Sequence, residues 1–269
     1  MGAATHIEWT DATWNPWHGC RKVSPGCAHC YMFRDKRRFG QDPTVVVRST
    51  KTTFEAPRRW SASRRVFTCS WSDFFIPDAD PWRDEAWEII RSTPWHSYQI
   101  LTKRPERVAE NLPWRATPWP NVWLITSAED QEHFETRWHI LSEIPAAVRG
   151  LSIEPLIGPI DLRRALQTSR LSWVIVGGES GPRARLMNAD WVRSLRDQCL
   201  EARVPFFFKQ WGGVFKNRTG RVLDGRTWDE MPDQSNDTQS IRQVTDEQRC
   251  RGGGRKSAST RDTNPREVE

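Results

Sequence analysis

Short apolar runs alternate along the chain with longer segments of mixed apolar and charged composition. From Val66 onward, each run is followed by a small or polar cluster and then by a stretch with helical patterning. Continuous apolar runs of this length are typical of strands that are buried on both faces, as in parallel sheets. Six segments fit this description, namely 66–69, 98–101, 122–125, 151–153, 173–176 and 205–208.

The segments between these runs predict amphipathic helices, because they combine apolar and charged residues. They cover residues 81–92, 104–110, 131–144, 162–169 and 190–202. Asp190 is the expected N-cap of the last helix, and Pro105 suits the first turn of the second. Strands that alternate with helices predict a parallel α/β architecture, either a barrel or an open sheet.

Polar side chains follow each predicted strand directly. The carboxyl ends of parallel strands meet at one end of a barrel, where active sites are assembled, so we expect these side chains to converge there. The loops after strands also need turn-forming and helix-capping residues, so each of these polar residues, taken singly, can also be explained by a structural role. The clusters contain Ser70, Asp73, Thr102, Lys103, Arg104, Thr126, Ser127, Glu129, Glu154, Gly177, Gly178, Glu179, Ser180, Lys209 and Gln210.

Three of the six cysteines lie within eleven residues, at Cys20, Cys27 and Cys30. Thiolates at such close intervals can converge on one metal centre. A structural zinc ion needs a fourth protein ligand, for which His18 and His29 are available, whereas a four-iron cluster on three thiolates keeps one iron open for chemistry. The spacing alone does not choose between zinc and iron–sulfur. A cysteine loop ahead of a β/α series is expected at the barrel mouth, and this position favours the iron–sulfur cluster.

The composition indicates the compartment and the kind of partner. No apolar run is long enough to cross a bilayer, and the first residues lack the build of a signal peptide, so we expect a cytoplasmic protein with no membrane contact. In that reducing compartment, clustered cysteines bind metals more often than they form disulfides.

The net charge of +6 suits an anionic partner, and many of the cations lie between Arg34 and Arg65. The sixteen tryptophans can stack on bases but more often fill cores.

Several sequence blocks resemble, in order, the signatures of a phage-type protein family of unknown function that is related to the radical S-adenosylmethionine enzymes. These blocks are residues 7–16, the cysteine loop, 101–105, 152–156, 173–181 and 206–212. The resemblance covers residues 5–215. We therefore expect residues 1–215 to form one barrel-like domain with an N-terminal cysteine loop, and residues 216–269 to form an extension and a disordered polar tail.

The resemblance implies a partial β/α barrel of the radical S-adenosylmethionine type, with about six parallel strands. It further implies a [4Fe-4S] cluster on the three cysteines, with S-adenosylmethionine bound to the open iron and cleaved reductively to a 5′-deoxyadenosyl radical. The implied partners are an electron donor such as flavodoxin or ferredoxin and a further protein. Two departures stand out. Six residues separate Cys20 from Cys27, whereas the commonest radical-enzyme pattern has three residues between its first two cysteines. In those enzymes a Gly-Gly-Glu motif after the second strand contacts the amino group of the cofactor. Here Gly-Gly-Glu lies at 177–179, after the fifth predicted strand, so we do not assign that role to it.

Side-chain chemistry suggests roles for the residues at the strand ends. Ser70 and Asp73 suit the ammonium group of the cofactor, and Glu154 is either a ligand contact or an ion-pair partner of Lys209. Ser127 and Glu129 suit ribose hydroxyls, while Gly177 and Gly178 permit close backbone approach. The cofactor-binding candidates are thus Ser70, Asp73, Ser127, Glu129, Glu154, Gly177, Gly178 and Glu179. The substrate-binding candidates are Lys103, Arg104, Arg183, Lys209, Gln210 and Trp211.

The sequence leaves three functional hypotheses. The first is a radical S-adenosylmethionine enzyme that acts on nucleic acid or a nucleotide, a substrate class suggested by the basic residues, the tryptophans and the phage-type resemblance. The alternative is a noncatalytic zinc-containing nucleic-acid-binding module that uses the three cysteines with His18 or His29. The third is an accessory protein whose cluster is structural or senses redox state.

Overall fold

Seven parallel strands form one curled sheet, which makes a half-barrel flanked by helices. The computed structural model describes residues 4–233. Strands β2 and β3 form a separate antiparallel pair, and the other seven follow each other across the half-barrel in chain order, β1-β4-β5-β6-β7-β8-β9. The strands are β1 (Ala12–Trp14), β2 (Trp17–His18), β3 (Val47–Arg48), β4 (Arg65–Thr68), β5 (Ser97–Thr102), β6 (Val122–Ser127), β7 (Val148–Ile153), β8 (Trp173–Gly177) and β9 (Phe206–Gln210).

Three longer helices, α3, α4 and α6, follow the sheet strands β4, β6 and β8, and the remaining helices are short. A further short helix, α1, begins immediately after the last cysteine of the cysteine loop. In chain order the helices are α1 (Tyr31–Arg38), α2 (Lys51–Phe54), α3 (Asp80–Ser92), α4 (Gln131–Ser142), α5 (Arg163–Leu166), α6 (Ala189–Ala202) and α7 (Lys216–Thr219).

All six strands predicted from the apolar runs are confirmed, and the sheet contains a seventh that the sequence did not reveal. This strand is β1, whose three residues pair in parallel with β4, Ala12 opposite Val66. It is too short to give a run of apolar residues, because Thr13 separates its two buried residues. The structure therefore places a strand directly ahead of the cysteine loop.

The helix predictions were less accurate at their ends. Residues 104–110 form two 3₁₀ turns, Pro105–Arg107 and Ala109–Asn111, because Pro113 soon follows and a proline disfavours helix before it. Pro105 does lie in the first turn, as expected. The N-cap of α6 is Asn188 and not Asp190, since the side chain of Asn188 accepts a hydrogen bond from the Asp190 amide.

Tryptophan side chains fill the interior of the half-barrel. Successive residues of a strand point to opposite faces, so Trp123 faces the interior while Leu124 packs beneath the helices. In the interior, Trp173 contacts Trp9 and Trp123 edge-on, with ring centroids 6.0 Å and 5.7 Å apart. These residues belong to the buried core, which is the commoner of the two roles expected for tryptophan.

The compact unit extends beyond residue 215, where we expected it to end, and continues to Pro232. The backbone amide of Phe208 on β9 donates to the Trp228 carbonyl (2.9 Å), and the Trp228 ring packs edge-on against Phe206. The segment after β9 thus covers the last strand of the sheet. The polar tail that we expected at the C-terminus lies, from residue 234 onward, outside the described residues. Within the described part of the chain, no helix combines the length and apolar character needed to cross a membrane.

Candidate functional site

A cavity of about 830 Å³ opens above the carboxyl ends of the strands, and the cysteine loop forms part of its wall. Cys20, Cys27 and Cys30 all border it. Its apolar lining includes Ile7, Phe67 and Leu101, which also pack against the tryptophan-rich interior of the half-barrel. The three cysteines and the strand ends therefore border the same cavity.

Most of the cofactor-binding and substrate-binding candidates border this cavity. The residues that border it are Ser70, Asp73, Lys103, Arg104, Ser127, Glu154, Gly178, Glu179, Lys209 and Gln210. Four others do not. Glu129 is buried behind the cysteine loop, Gly177 lies beside Glu154, Arg183 is exposed, and Trp211 packs against Phe208.

The carboxylate of Asp73 is fully engaged with protein groups. One oxygen accepts hydrogen bonds from the Thr102 hydroxyl (2.8 Å) and the Phe75 amide (2.9 Å). The other accepts from the Lys103 amide (2.9 Å) and from Nη1 of Arg104 (3.0 Å). These four bonds use the acceptor sites of a carboxylate, so Asp73 joins the loops that follow β4 and β5. Its expected contact with a cofactor ammonium stays a prediction.

Arg104 links this network to the first cysteine. Its Nη1 atom lies 3.9 Å from the Cys20 sulfur, and its Nη2 atom donates to the Arg21 carbonyl (2.9 Å). Burial raises the pKa of the Cys20 thiol to about 12, and the charge of Asp73 adds to this while Arg104 opposes it. The free thiol is therefore protonated at neutral pH, and metal binding would displace its proton.

Glu129 lies behind the cysteine loop and is completely buried. One carboxylate oxygen accepts a hydrogen bond from the Gly26 amide (3.2 Å), and the other accepts from Nη1 of Arg137 (2.9 Å). Burial alone would raise the pKa of Glu129, but the charge of Lys103 and the hydrogen bonds to the carboxylate outweigh it and lower the pKa. Glu129 is thus an ionised anchor for the loop, and its expected contact with ribose stays a prediction.

Glu179 anchors the loop from the other side. It accepts hydrogen bonds from Nη2 (2.6 Å) and Nε (3.0 Å) of Arg185, and it lies 2.9 Å from Nδ1 of His29. Burial alone would raise the pKa of Glu179, but the bonds from Arg185 and His29 lower it to about 2. Arg185 in turn donates to the Pro25 carbonyl (3.0 Å). His29, an alternative zinc ligand, therefore borders the cavity but uses one ring nitrogen for Glu179, and His18 does not border it.

Sequence reasoning missed three residues of this site, namely Tyr31, Arg137 and Arg185. The hydroxyl of Tyr31 donates to the Ser70 carbonyl, which ties the start of α1 to the loop after β4. Arg137 lies on α4 and Arg185 in the loop before α6. The only available signal was that Arg185 follows a Gly-Gly-Glu segment that had already been selected.

The cations at the cavity differ in their partners. Nζ of Lys209 lies 3.0 Å from the carboxylate of Glu154, which confirms the ion pair that we considered for these two residues. The other oxygen of Glu154 accepts from the Ser152 hydroxyl (3.2 Å). Lys103 has no ion-pair partner among residues 4–233. Its ammonium group is therefore the cavity cation that is best placed to bind an anion.

Within residues 4–233, no three His, Cys, Asp or Glu side chains are grouped so that they could hold a metal ion. A single tetrahedral ion brings its sulfur ligands within about 4 Å of each other. The irons of a four-iron cluster occupy separate corners of a cube, so its protein ligands lie further apart. Cys20, Cys27 and Cys30 border the same cavity, and their binding of a metal centre stays a prediction.

Comparison with known proteins places the chain in a family. The family model described as "Protein of unknown function (DUF5131)" matches residues 4–232. Searches of curated proteins and of solved structures gave no match. The matched region includes the half-barrel, the cysteine loop and the segment that covers β9. The chain therefore belongs to the DUF5131 family, whose function is unknown.

Proposed function

We propose that the chain is a radical S-adenosylmethionine enzyme in which Cys20, Cys27 and Cys30 hold a [4Fe-4S] cluster. The observation that carries this proposal is that all three cysteines border one cavity above the carboxyl ends of the half-barrel strands. Parallel β/α barrels assemble their active sites at this end. The sequence blocks that resemble relatives of the radical enzymes occupy the same strands and the same loop.

The residues of the cavity fit the cluster and its cofactor. Cys20, Cys27 and Cys30 would each hold one iron and leave the fourth iron free for S-adenosylmethionine, and the cluster would supply the electron for reductive cleavage of that cofactor. Ile7, Phe67 and Leu101 line part of the cavity with apolar side chains, which would limit the access of water to the reacting groups. The Ser127 hydroxyl provides a hydrogen-bonding group on the cavity wall.

The close approach at Gly178 is to the backbone of Trp211, and its expected approach to a ligand stays a prediction. Gly178 borders the cavity, and a side chain there would collide with the Trp211 carbonyl. Lys103 supplies a cation for the carboxylate of the cofactor or for a substrate anion. Glu154 is held by Lys209 and Ser152, so we assign it to the wall of the cavity and not to the chemistry.

The proposed substrate is nucleic acid or a nucleotide. Arg34 borders the cavity, and Arg37 and Arg38 are exposed further along α1, so the approach to the site carries cations suited to phosphate.

Reduction of the cluster requires a low-potential electron donor, for which we propose a protein such as flavodoxin or ferredoxin. We place the protein in the cytoplasm, where reducing conditions keep the three thiols free to bind metal.

Metal analysis after anaerobic purification tests the proposal. We expect about four irons and four sulfides per chain, with a brown chromophore. The Cys27→Ala variant should contain neither the iron nor the sulfide, because only two thiolates remain to hold the cluster. Cys199→Ala is the matched control, since Cys199 is a buried thiol on α6 that does not border the cavity. Stoichiometric zinc without iron would contradict the proposal and support the noncatalytic zinc-containing module.

The same preparations test the chemistry. With dithionite and S-adenosylmethionine, the wild-type protein and Cys199→Ala should form 5′-deoxyadenosine, whereas Cys27→Ala should form none. A protein that carries the iron but forms no 5′-deoxyadenosine from S-adenosylmethionine would indicate a structural or redox-sensing cluster.

A further inference from the structure

One peptide group of the cysteine loop is held at both of its polar ends. The Pro25 carbonyl accepts a hydrogen bond from Nη2 of Arg185 (3.0 Å), and the Gly26 amide donates to Oε1 of Glu129 (3.2 Å). These two atoms belong to the same peptide bond. It lies between Cys20 and Cys27 and opens the 3₁₀ turn that carries Cys27.

Each contact is made by a charged residue that is itself fixed by an ion pair. Glu129 is paired with Arg137 (2.9 Å), and both side chains are almost completely buried. Arg185 is paired with Glu179 (2.6 Å), whose side chain is also buried. A charge-assisted hydrogen bond from a residue held in this way is stronger and more rigid than one from a free surface side chain.

The two anchors come from different parts of the half-barrel. Glu129 lies between β6 and α4, and Arg185 lies between β8 and α6. The position of the Pro25–Gly26 peptide is therefore set by the half-barrel and not by the loop alone. The fit at this point is tight, because a Cβ atom at Gly26 would lie 2.9 Å from the Glu129 carboxyl carbon.

We propose that Glu129 and Arg185 are positioning residues that hold the Pro25–Gly26 peptide and thereby fix the Cys27 thiol at the cavity before a metal binds. The part of this proposal that concerns metal loading rests on the proposed function. The part that concerns the loop does not, since it rests on hydrogen bonds within the protein. A loop that is already in place loses less conformational entropy when its thiols bind a metal centre.

Hydrogen–deuterium exchange on the metal-free, full-length protein tests the positioning role. In Arg185→Ala and in Glu129→Gln, we expect the amides of residues 20–30 to exchange about tenfold faster, because each variant weakens or removes a charge-assisted hydrogen bond. Arg185 is partly exposed, so its alanine variant should fold even where the change at the buried Glu129 disturbs the protein. Circular dichroism and thermal unfolding report on folding in each case.

The matched control is Arg170→Ala, which removes an exposed arginine paired with Glu143 that contacts no residue of the cysteine loop. It should leave the exchange of residues 20–30 unchanged. Unchanged exchange in a folded Arg185→Ala protein would overturn the proposal.

Iron titration separates this inference from the proposed function. Under limiting iron and sulfide, we expect both variants to reach less than half of the wild-type iron content, while Arg170→Ala matches the wild type. A wild-type protein that takes up no iron refutes the proposed cluster, and the exchange data then still decide whether the two residues position the loop. Full loading of the variants, with normal exchange, would refute the positioning role alone.

Discussion

At the scale of single residues, two adjacent glycines after β8 have different surroundings although they look alike in the sequence. A Cβ atom at Gly178 would lie 2.0 Å from the Trp211 carbonyl oxygen, whereas one at Gly177 would lie 2.7 Å from a carboxylate oxygen of Glu154. The first obstacle is backbone, which cannot move without shifting β9. The second is the end of a flexible side chain.

We therefore expect Gly178→Ala to lower the free energy of unfolding by about 3 kcal/mol and Gly177→Ala by about 1 kcal/mol. Urea denaturation monitored by tryptophan fluorescence measures both values, and each glycine variant is the control for the other. Equal losses would show that the close approach of the Trp211 backbone does not restrict this position.

The sequence indicated which residues lie at the strand ends, but it did not indicate what they contact. Glu129 and Glu179 were correctly placed among the polar residues that follow strands, and the structure shows both bonded to arginines and to the cysteine loop. Their partners Arg137 and Arg185 could not be found from patterning, because neither ion pair lies within one helix or strand and so neither leaves a periodic signal. Only the folded arrangement brings them together.

At the scale of elements, the segment after β9 covers the last strand of the sheet. An exposed strand edge offers unpaired backbone groups, so proteins usually protect it. Here Phe208 and Phe206 on β9 contact Trp228, which is only 8 % exposed. The guanidinium group of Arg226 stacks on the Trp228 ring, 3.5 Å from its centroid. Trp228 thus secures the covering segment to the half-barrel.

We expect Trp228→Ala to lower the free energy of unfolding by about 3–4 kcal/mol, because it removes a large buried ring from the edge of the sheet. Trp95→Ala is a suitable control, since Trp95 is 38 % exposed and its replacement should lower the free energy of unfolding far less. Thermal unfolding followed by circular dichroism compares the two. A Trp228→Ala protein as stable as the control would show that the half-barrel does not depend on the segment after β9.

The elements differ in how well the sequence predicts them, for physical reasons. Strands buried on both faces give continuous apolar runs, and all six such runs became strands of the sheet. The three-residue β1 gives no such run, and its strand pairing with β4 is a tertiary contact. The helix expected over 104–110 is replaced by two 3₁₀ turns, because amphipathic composition does not take account of Pro113 just beyond its end.

At the scale of the whole molecule, the excess of positive charge bears on the proposed substrate. The chain carries a net charge of +6, and exposed arginines on α1 lie just beyond the cysteine loop. Binding of single-stranded nucleic acid to such a surface releases counterions, so the affinity should fall as salt increases. Each phosphate that the protein neutralises should contribute about 0.7 to the slope of the log–log plot.

We expect fluorescence anisotropy with a labelled single-stranded oligonucleotide to show this salt dependence. Reversing two charges in the double variant Arg37→Glu/Arg38→Glu should weaken binding about tenfold or more at low salt, since it replaces attraction with repulsion. The control is Arg163→Glu/Arg164→Glu, an adjacent arginine pair on α5 that does not border the cavity. Absence of binding at low salt, or an equal loss of affinity in both double variants, would contradict binding of a polyanionic substrate at α1.

The two anchors of the Pro25–Gly26 peptide are distant from it along the chain. Gly26 and Glu129 are 103 positions apart, and Pro25 and Arg185 are 160 positions apart. During synthesis on the ribosome, the thiols emerge long before the residues that give their loop its shape. Under the proposed function, insertion of the metal centre would therefore be a late event in maturation, after translation past Arg185 and closure of the strands up to β8.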